Sequence, residues 1–136
     1  MYVLSDCHRE WLIRRAFQSA PLEACGFIIE DDEDGPRHTI VEIRNICPNP
    51  NRGFNMDPYD VLEKLGPDGL SYVVAVWHTH PSGIIHPSKT DQNAIFNGSI
   101  NKDWTYIIAT KDEVAQWDTK TLAAQEDSFW QAFVAQ

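Results

Sequence analysis

The sequence predicts an α/β fold, with a mixed central β-sheet flanked by helices. Two observations predict it. Segments with helical spacing are interleaved with short apolar or alternating segments, and a strand pair joined by a polar turn lies towards each end of the chain. Between those pairs runs "LSYVVAVWHTH", valine-rich and apolar throughout, as a strand buried on both faces should be. The 136 residues suit one core, which at this size buries roughly two-thirds of the surface exposed by the unfolded chain. A single domain over 1–136 is expected.

The elements follow in order. Ser5 is placed to cap a first helix, where Leu12, Ala16 and Ala20 recur at helical spacing beside Ile13 and Phe17, and Pro21 ends it. "CGFIIE" and "HTIVEIRNI" read as a hairpin across the acidic turn "DDEDGP". "CPNPNRGFN", dense in Pro, Asn and Gly, reads as a loop, and "DPYDVLEKL" as a second helix with Asp57 as N-cap and Pro58 at its first position. After the long strand and the loop "PSGIIHP", a helix is expected from near Ser88. "WTYIIAT" and "EVAQWDT" then form strands about the turn "KDE". The tail "AAQEDSFWQAFVAQ" pairs Phe129 with Phe133 and Trp130 with Val134 at i, i+4, as in a last helix.

Composition excludes several functions. With 11 basic and 20 acidic residues the formal charge is −9, a field that repels a phosphate backbone, so no nucleic-acid partner is expected. Hydrophobic residues at 43% and charged residues at 23% fit a globular chain. No apolar run reaches the roughly 18 residues of a membrane span, and "MYVLSDCHREW" lacks a signal-peptide pattern, so no membrane partner is expected. Cys7, Cys25 and Cys47 are odd in number and far apart. They read as reduced thiols in a cytoplasmic protein.

The chemistry concentrates in "VWHTHPSGIIHPSKTD", which holds three of the five histidines. His78 and His80 lie two apart on a strand, so both rings project from the same face and could share an ion. Asp91 follows Ser88 by three residues, a spacing that also describes a capping box at a helix start. Two imidazoles and a carboxylate are a catalytic zinc set that leaves a position for water. Such a site needs a carboxylate outside the metal shell to move protons, and Glu23, in the apolar setting "PLEACGF", is the candidate. Cys25 reads as a small buried residue and His86 as an exposed loop residue. His8 and His38 read as surface residues, and Trp77 as a core residue facing away from His78.

These residues resemble the JAMM (MPN+) zinc metallopeptidases. The family pattern is an upstream Glu, then His-Ser/Thr-His-Pro, six residues, Ser, two residues and Asp. Here it is met by Glu23, His78-Thr79-His80-Pro81, "SGIIHP", Ser88, Lys89-Thr90 and Asp91 with no gap. The resemblance implies an MPN/JAB fold, related in architecture to the cytidine deaminases, whose His-x-Glu and Pro-Cys-x-x-Cys motifs are absent. It implies zinc on His78, His80 and Asp91, Glu23 as general base and then acid, and Ser88 as hydrogen-bond donor to the oxyanion.

It further implies a protein or peptide substrate cut at an amide bond beside the tail of a ubiquitin-like protein, laid along a sheet edge by strand addition, with the loop Pro48 to Met56 as one wall. In layout "EACGFII", "RNICPNPNRGFNMDPYD" and "VVAVWHTHPSG" are similar to standalone prokaryotic JAB peptidases and, more closely, to the N-terminal domain of tail-tip assembly proteins of lambda-like phages. A non-catalytic MPN-type binding or assembly module, for example in a phage tail, is the alternative. All five motif residues favour the enzyme.

Overall fold

The computed structural model describes residues 2–31, 37–91, 100–101 and 103–119. The remainder of the acidic turn, the continuation beyond Asp91 of the helix expected from near Ser88, and the last helix expected in the tail lie outside the described residues. Helix α1 spans Asp6–Ser19 and strands β1 and β2 span Cys25–Asp31 and Arg37–Ile43. Helix α2 spans Pro58–Leu65, a 3-10 turn Gly69–Tyr72, and strands β3, β4 and β5 span Val73–Thr79, Thr105–Ala109 and Val114–Asp118. The strands form one mixed sheet in the order β2-β1-β3-β4-β5, which is the predicted fold class.

The local signals act as read. Ser5 Oγ accepts the amide of His8 at 3.2 Å, satisfying an orphan donor of α1. Asp57 does the same for Tyr59 at 3.0 Å, with Pro58 opening α2. β1 and β2 pair antiparallel from Cys25↔Ile43 to Asp31↔Arg37. Two expectations are adjusted. Phe17 is 70% exposed, because only Leu12 and Ala16 of α1 face the sheet fully and Phe17 lies about 100° round the helix from Ala16. Leu70 to Tyr72, read as the start of the strand, form the 3-10 turn, and β3 begins where Ile29 of β1 supplies a partner for Val73.

β3 is the central strand, antiparallel to β1 and parallel to β4. Its alternation sends Ala75 and Trp77 into the cluster with Leu12, Ala16, Ile28 and Ile107 under α1. Val76 goes to the other cluster, with Phe27, Ile43, Tyr106 and Ile108. Gly26 has no room for a side chain, since a Cβ there would run into the Val41 carbonyl and the Trp77 ring. Parallel strands cannot be joined by a tight turn, so the chain between β3 and β4 must cross over. The histidine-rich loop is the first part of that crossover.

Candidate metal centre

β3 ends by delivering His78 and His80 to one place. His78 is fully buried, and the two Nε2 atoms lie 2.8 Å apart. His80 Nδ1 is 2.7 Å from the Ile84 carbonyl oxygen. A carbonyl only accepts, so Nδ1 carries the hydrogen and Nε2 presents its lone pair, the arrangement a ligating histidine needs. Phe54 stacks on the His78 ring with centroids 4.6 Å apart and planes at 28°, and Tyr106 of β4 closes on it at 5.5 Å.

Asp91 joins them from the turn of the crossover. Its Oδ2 lies 3.3 Å from His78 Nε2 and 3.1 Å from His80 Nε2. The capping box also forms, since Ser88 N–H donates to Asp91 Oδ2 at 2.8 Å and Asp91 N–H to Ser88 Oγ at 3.1 Å. The cap is what aims the carboxylate at the two imidazoles, so a cap does not compete with a role as ligand. Ser88 Oγ accepts in this pair and keeps its own hydrogen to donate elsewhere.

Glu23 arrives from the segment between α1 and β1, with Oε1 4.0 Å from His78 Nε2. Its backbone is held tightly. Glu23 N–H donates to the Pro50 carbonyl at 2.7 Å, and the next residue, Ala24, donates to Thr79 Oγ1 at 2.9 Å. The Asn45 amide ties this segment to the neighbouring loop by donating to the carbonyls of Glu23 and Gly53 at 3.0 and 3.1 Å, and it accepts from the amides of Cys47 and Asn55 at 3.0 and 2.9 Å. Neither Asn45, Phe54 nor Tyr106 carries a sequence signal that marks it, beyond the loop composition around Phe54.

Electrostatics follow from burial and these contacts. Burial, reinforced by Asp91 and opposed by His80, pushes the Glu23 carboxyl up to about 7. Burial lowers the His78 imidazole, with Asp91 pulling the other way. For His80, burial is outweighed by Asp91, the Ile84 carbonyl and Glu23, so its pKa rises. Burial would raise Asp91, but its contacts with the two imidazoles and the hydrogen bond from Ser88 N–H hold it well below the usual carboxylate range.

The donor set fits a divalent ion of the zinc type. Two imidazole nitrogens and a carboxylate oxygen form a triangle with edges of 2.8, 3.1 and 3.3 Å, and ligand atoms on tetrahedral bonds of about 2.0–2.1 Å stand about 3.3 Å apart. Ligand atoms of Glu23, His78 and His80 also all lie within 4.8 Å of one another and could hold a metal. Of the two carboxylates, Asp91 is nearer to both rings, which leaves Glu23 beside the triangle.

The remaining expectations divide. Cys25 is buried, its Sγ 3.5 Å from the Ile43 carbonyl, and burial pushes its thiol up to about 12, so it stays an inert packing residue. His86 is exposed and Trp77 is core, as read. His8 and His38 are half-buried rather than superficial. His8 Nδ1 lies 3.3 Å from the Tyr2 hydroxyl, and His38 packs on the Tyr2 ring at 4.6 Å and meets Glu30 at 3.2 Å. No helix among the described residues is long and apolar enough to cross a membrane.

Fold and site together define a JAB-type domain with a candidate metal centre at the end of its central strand. A family profile described as prokaryotic homologs of the JAB domain matches residues 6–124, and the chain belongs to that family. The solution structure of protein DSY2949 from Desulfitobacterium hafniense is similar to it, with a TM-score of 0.55 and 22% identity, over 80% of this chain and 84% of that one. At that identity the likeness speaks for the fold. No curated protein matches the sequence.

Proposed function

We propose that this chain is a zinc-dependent peptidase or isopeptidase that hydrolyses an amide bond. The observation that carries the reading is the convergence of His78, His80 and Asp91 Oδ2 within 3.3 Å of one another, with the buried Glu23 carboxylate 4.0 Å from His78. A zinc ion on those three residues would supply Lewis acidity, acidifying a water and polarising the scissile carbonyl.

The chain's own residues do the rest. Glu23, buried beside the triangle with Oε1 4.0 Å from His78 Nε2, is placed to take the proton of the attacking water and return it to the leaving amine, as a general base and then acid does. Ser88 keeps its hydroxyl hydrogen for the oxygen that gains charge. Phe54 shields the His78 face from solvent, which strengthens each of these interactions.

For substrate we propose a protein or peptide with a flexible, ubiquitin-like tail. The sheet edges are β2 and β5, so a tail added to an edge strand would reach the β3 terminus across the strand ends. Beside the site, a cavity of about 470 Å³ lined by Glu23, Arg52, His80 and Ser88 offers room for it. The test is zinc content by mass spectrometry, native chain beside Asp91→Ala, followed by cleavage of ubiquitin-like fusions with and without chelator. About one zinc per native chain, little in the variant, and chelator-sensitive cleavage support the enzyme. No zinc in either after supplementation would overturn it in favour of a binding or assembly module, such as one of a phage tail.

A further inference from the structure

The Tyr106 hydroxyl breaks the rule that buried polar groups find partners. Tyr106 is 0% exposed, and among the described residues its hydroxyl makes no well-formed hydrogen bond. Phenylalanine would fill the same volume without the desolvation penalty of an unpaired hydroxyl in a core. The position is not incidental. Tyr106 pairs with Val76 in the register of β3 and β4, so its ring emerges on the same face as His78, 5.5 Å away centroid to centroid. Tyr106 and Asp91 line the same cavity of about 550 Å³. A phenol hydroxyl is a hydrogen-bond donor at neutral pH.

Asp91 needs such a donor. Its Oδ2 alone faces Ser88 N–H and both imidazoles. A carboxylate that ligates a metal is oriented by hydrogen bonds from outside the shell, and those outer partners typically set metal affinity by about 10–100-fold. We infer that Tyr106 is a positioning residue for the metal centre, its hydroxyl turning to the Asp91 carboxylate and fixing its orientation for ligation. This rests on the metal-site reading above. It also accounts for a buried hydroxyl that the fold itself does not use.

The experiment compares native chain and Tyr106→Phe by zinc affinity, measured in competition with a chromophoric chelator, and by the thermal midpoint of the zinc-free proteins. Tyr106→Phe should weaken zinc about 10–100-fold while the zinc-free midpoint stays level or rises. In the Asp91→Ala background the same change should alter residual affinity by less than about twofold, since its effect passes through Asp91. The cobalt-loaded proteins report ligand geometry independently, and the visible absorption should shift between native and Tyr106→Phe. Equal zinc affinity in native and variant would overturn the role of Tyr106 and leave the metal centre standing, and a lowered zinc-free midpoint would overturn it as a structural hydroxyl. A native chain that binds no zinc would overturn the metal-site reading itself.

Discussion

The two faces of β3 are built from alternate residues of one strand, yet they obey different rules. Under α1, Trp77 is wholly buried and its one polar atom donates to the Phe27 carbonyl at 3.2 Å. Its ring packs edge-on against Trp11 at 5.7 Å. On the other face, His78 is equally buried, but among the described residues its Nδ1 and the Tyr106 hydroxyl make no well-formed hydrogen bond. Glu23 is buried there 4.0 Å from His78, and burial lifts its pKa. The first face is optimised for stability. The second keeps polar groups dry and under-satisfied, which a fold tolerates where the chemistry requires it.

The sharpest way to break this contrast is to remove one atom's basicity from the second face. Glu23→Gln should keep zinc and fold while turnover falls about 10²–10⁴-fold, the range general acid–base catalysis supplies. Inductively coupled plasma measurement of zinc beside a cleavage assay checks both halves. Normal cleavage by the variant would remove Glu23 from the mechanism.

Trp77→Ala probes the first face with the opposite signature. Truncating a buried tryptophan costs about 3–5 kcal/mol, visible as a large drop in the urea midpoint. Zinc affinity of the folded fraction should be unchanged, because Trp77 points away from the ligands. A variant that keeps its stability but loses zinc would mean that the two faces are not separable.

The contrast also marks what the sequence could disclose. Strand and helix signals are local, so the Ser5 and Asp57 caps, the first hairpin and the valine-rich central strand were legible in composition and spacing. The fixed spacing from His78 to Asp91 named the cluster before any geometry. Strand order was not legible, because a parallel β3–β4 pairing depends on where a crossover lands rather than on local pattern. Nor were Asn45, Phe54 and Tyr106, whose roles come from contacts across 22 residues of sequence between Glu23 and Asn45 or across strands. Ser88 and Asp91 presented a choice between cap and site, and the folded turn makes the cap while placing Asp91 beside both imidazoles, so the two uses do not exclude each other.

The smallest expected effect sharpens the comparison most selectively. In zinc-free protein, Glu23 is held at about 7 against an ordinary value of 4.5. Between those values the folded chain keeps a proton that the unfolded chain has released, so stability falls as pH rises through the window. Glu23→Gln has no such proton. Its thermal midpoint, measured with chelator present, should match the native chain near pH 4.5 and exceed it above pH 7. Other groups titrate too, and His80, whose pKa Glu23 helps to raise, shifts with the substitution, so the difference reports Glu23 together with its coupling to His80. Parallel curves for native and variant would mean that the carboxylate titrates in its ordinary range with water at hand. A proton acceptor matched to neutral pH would then not be what Glu23 provides.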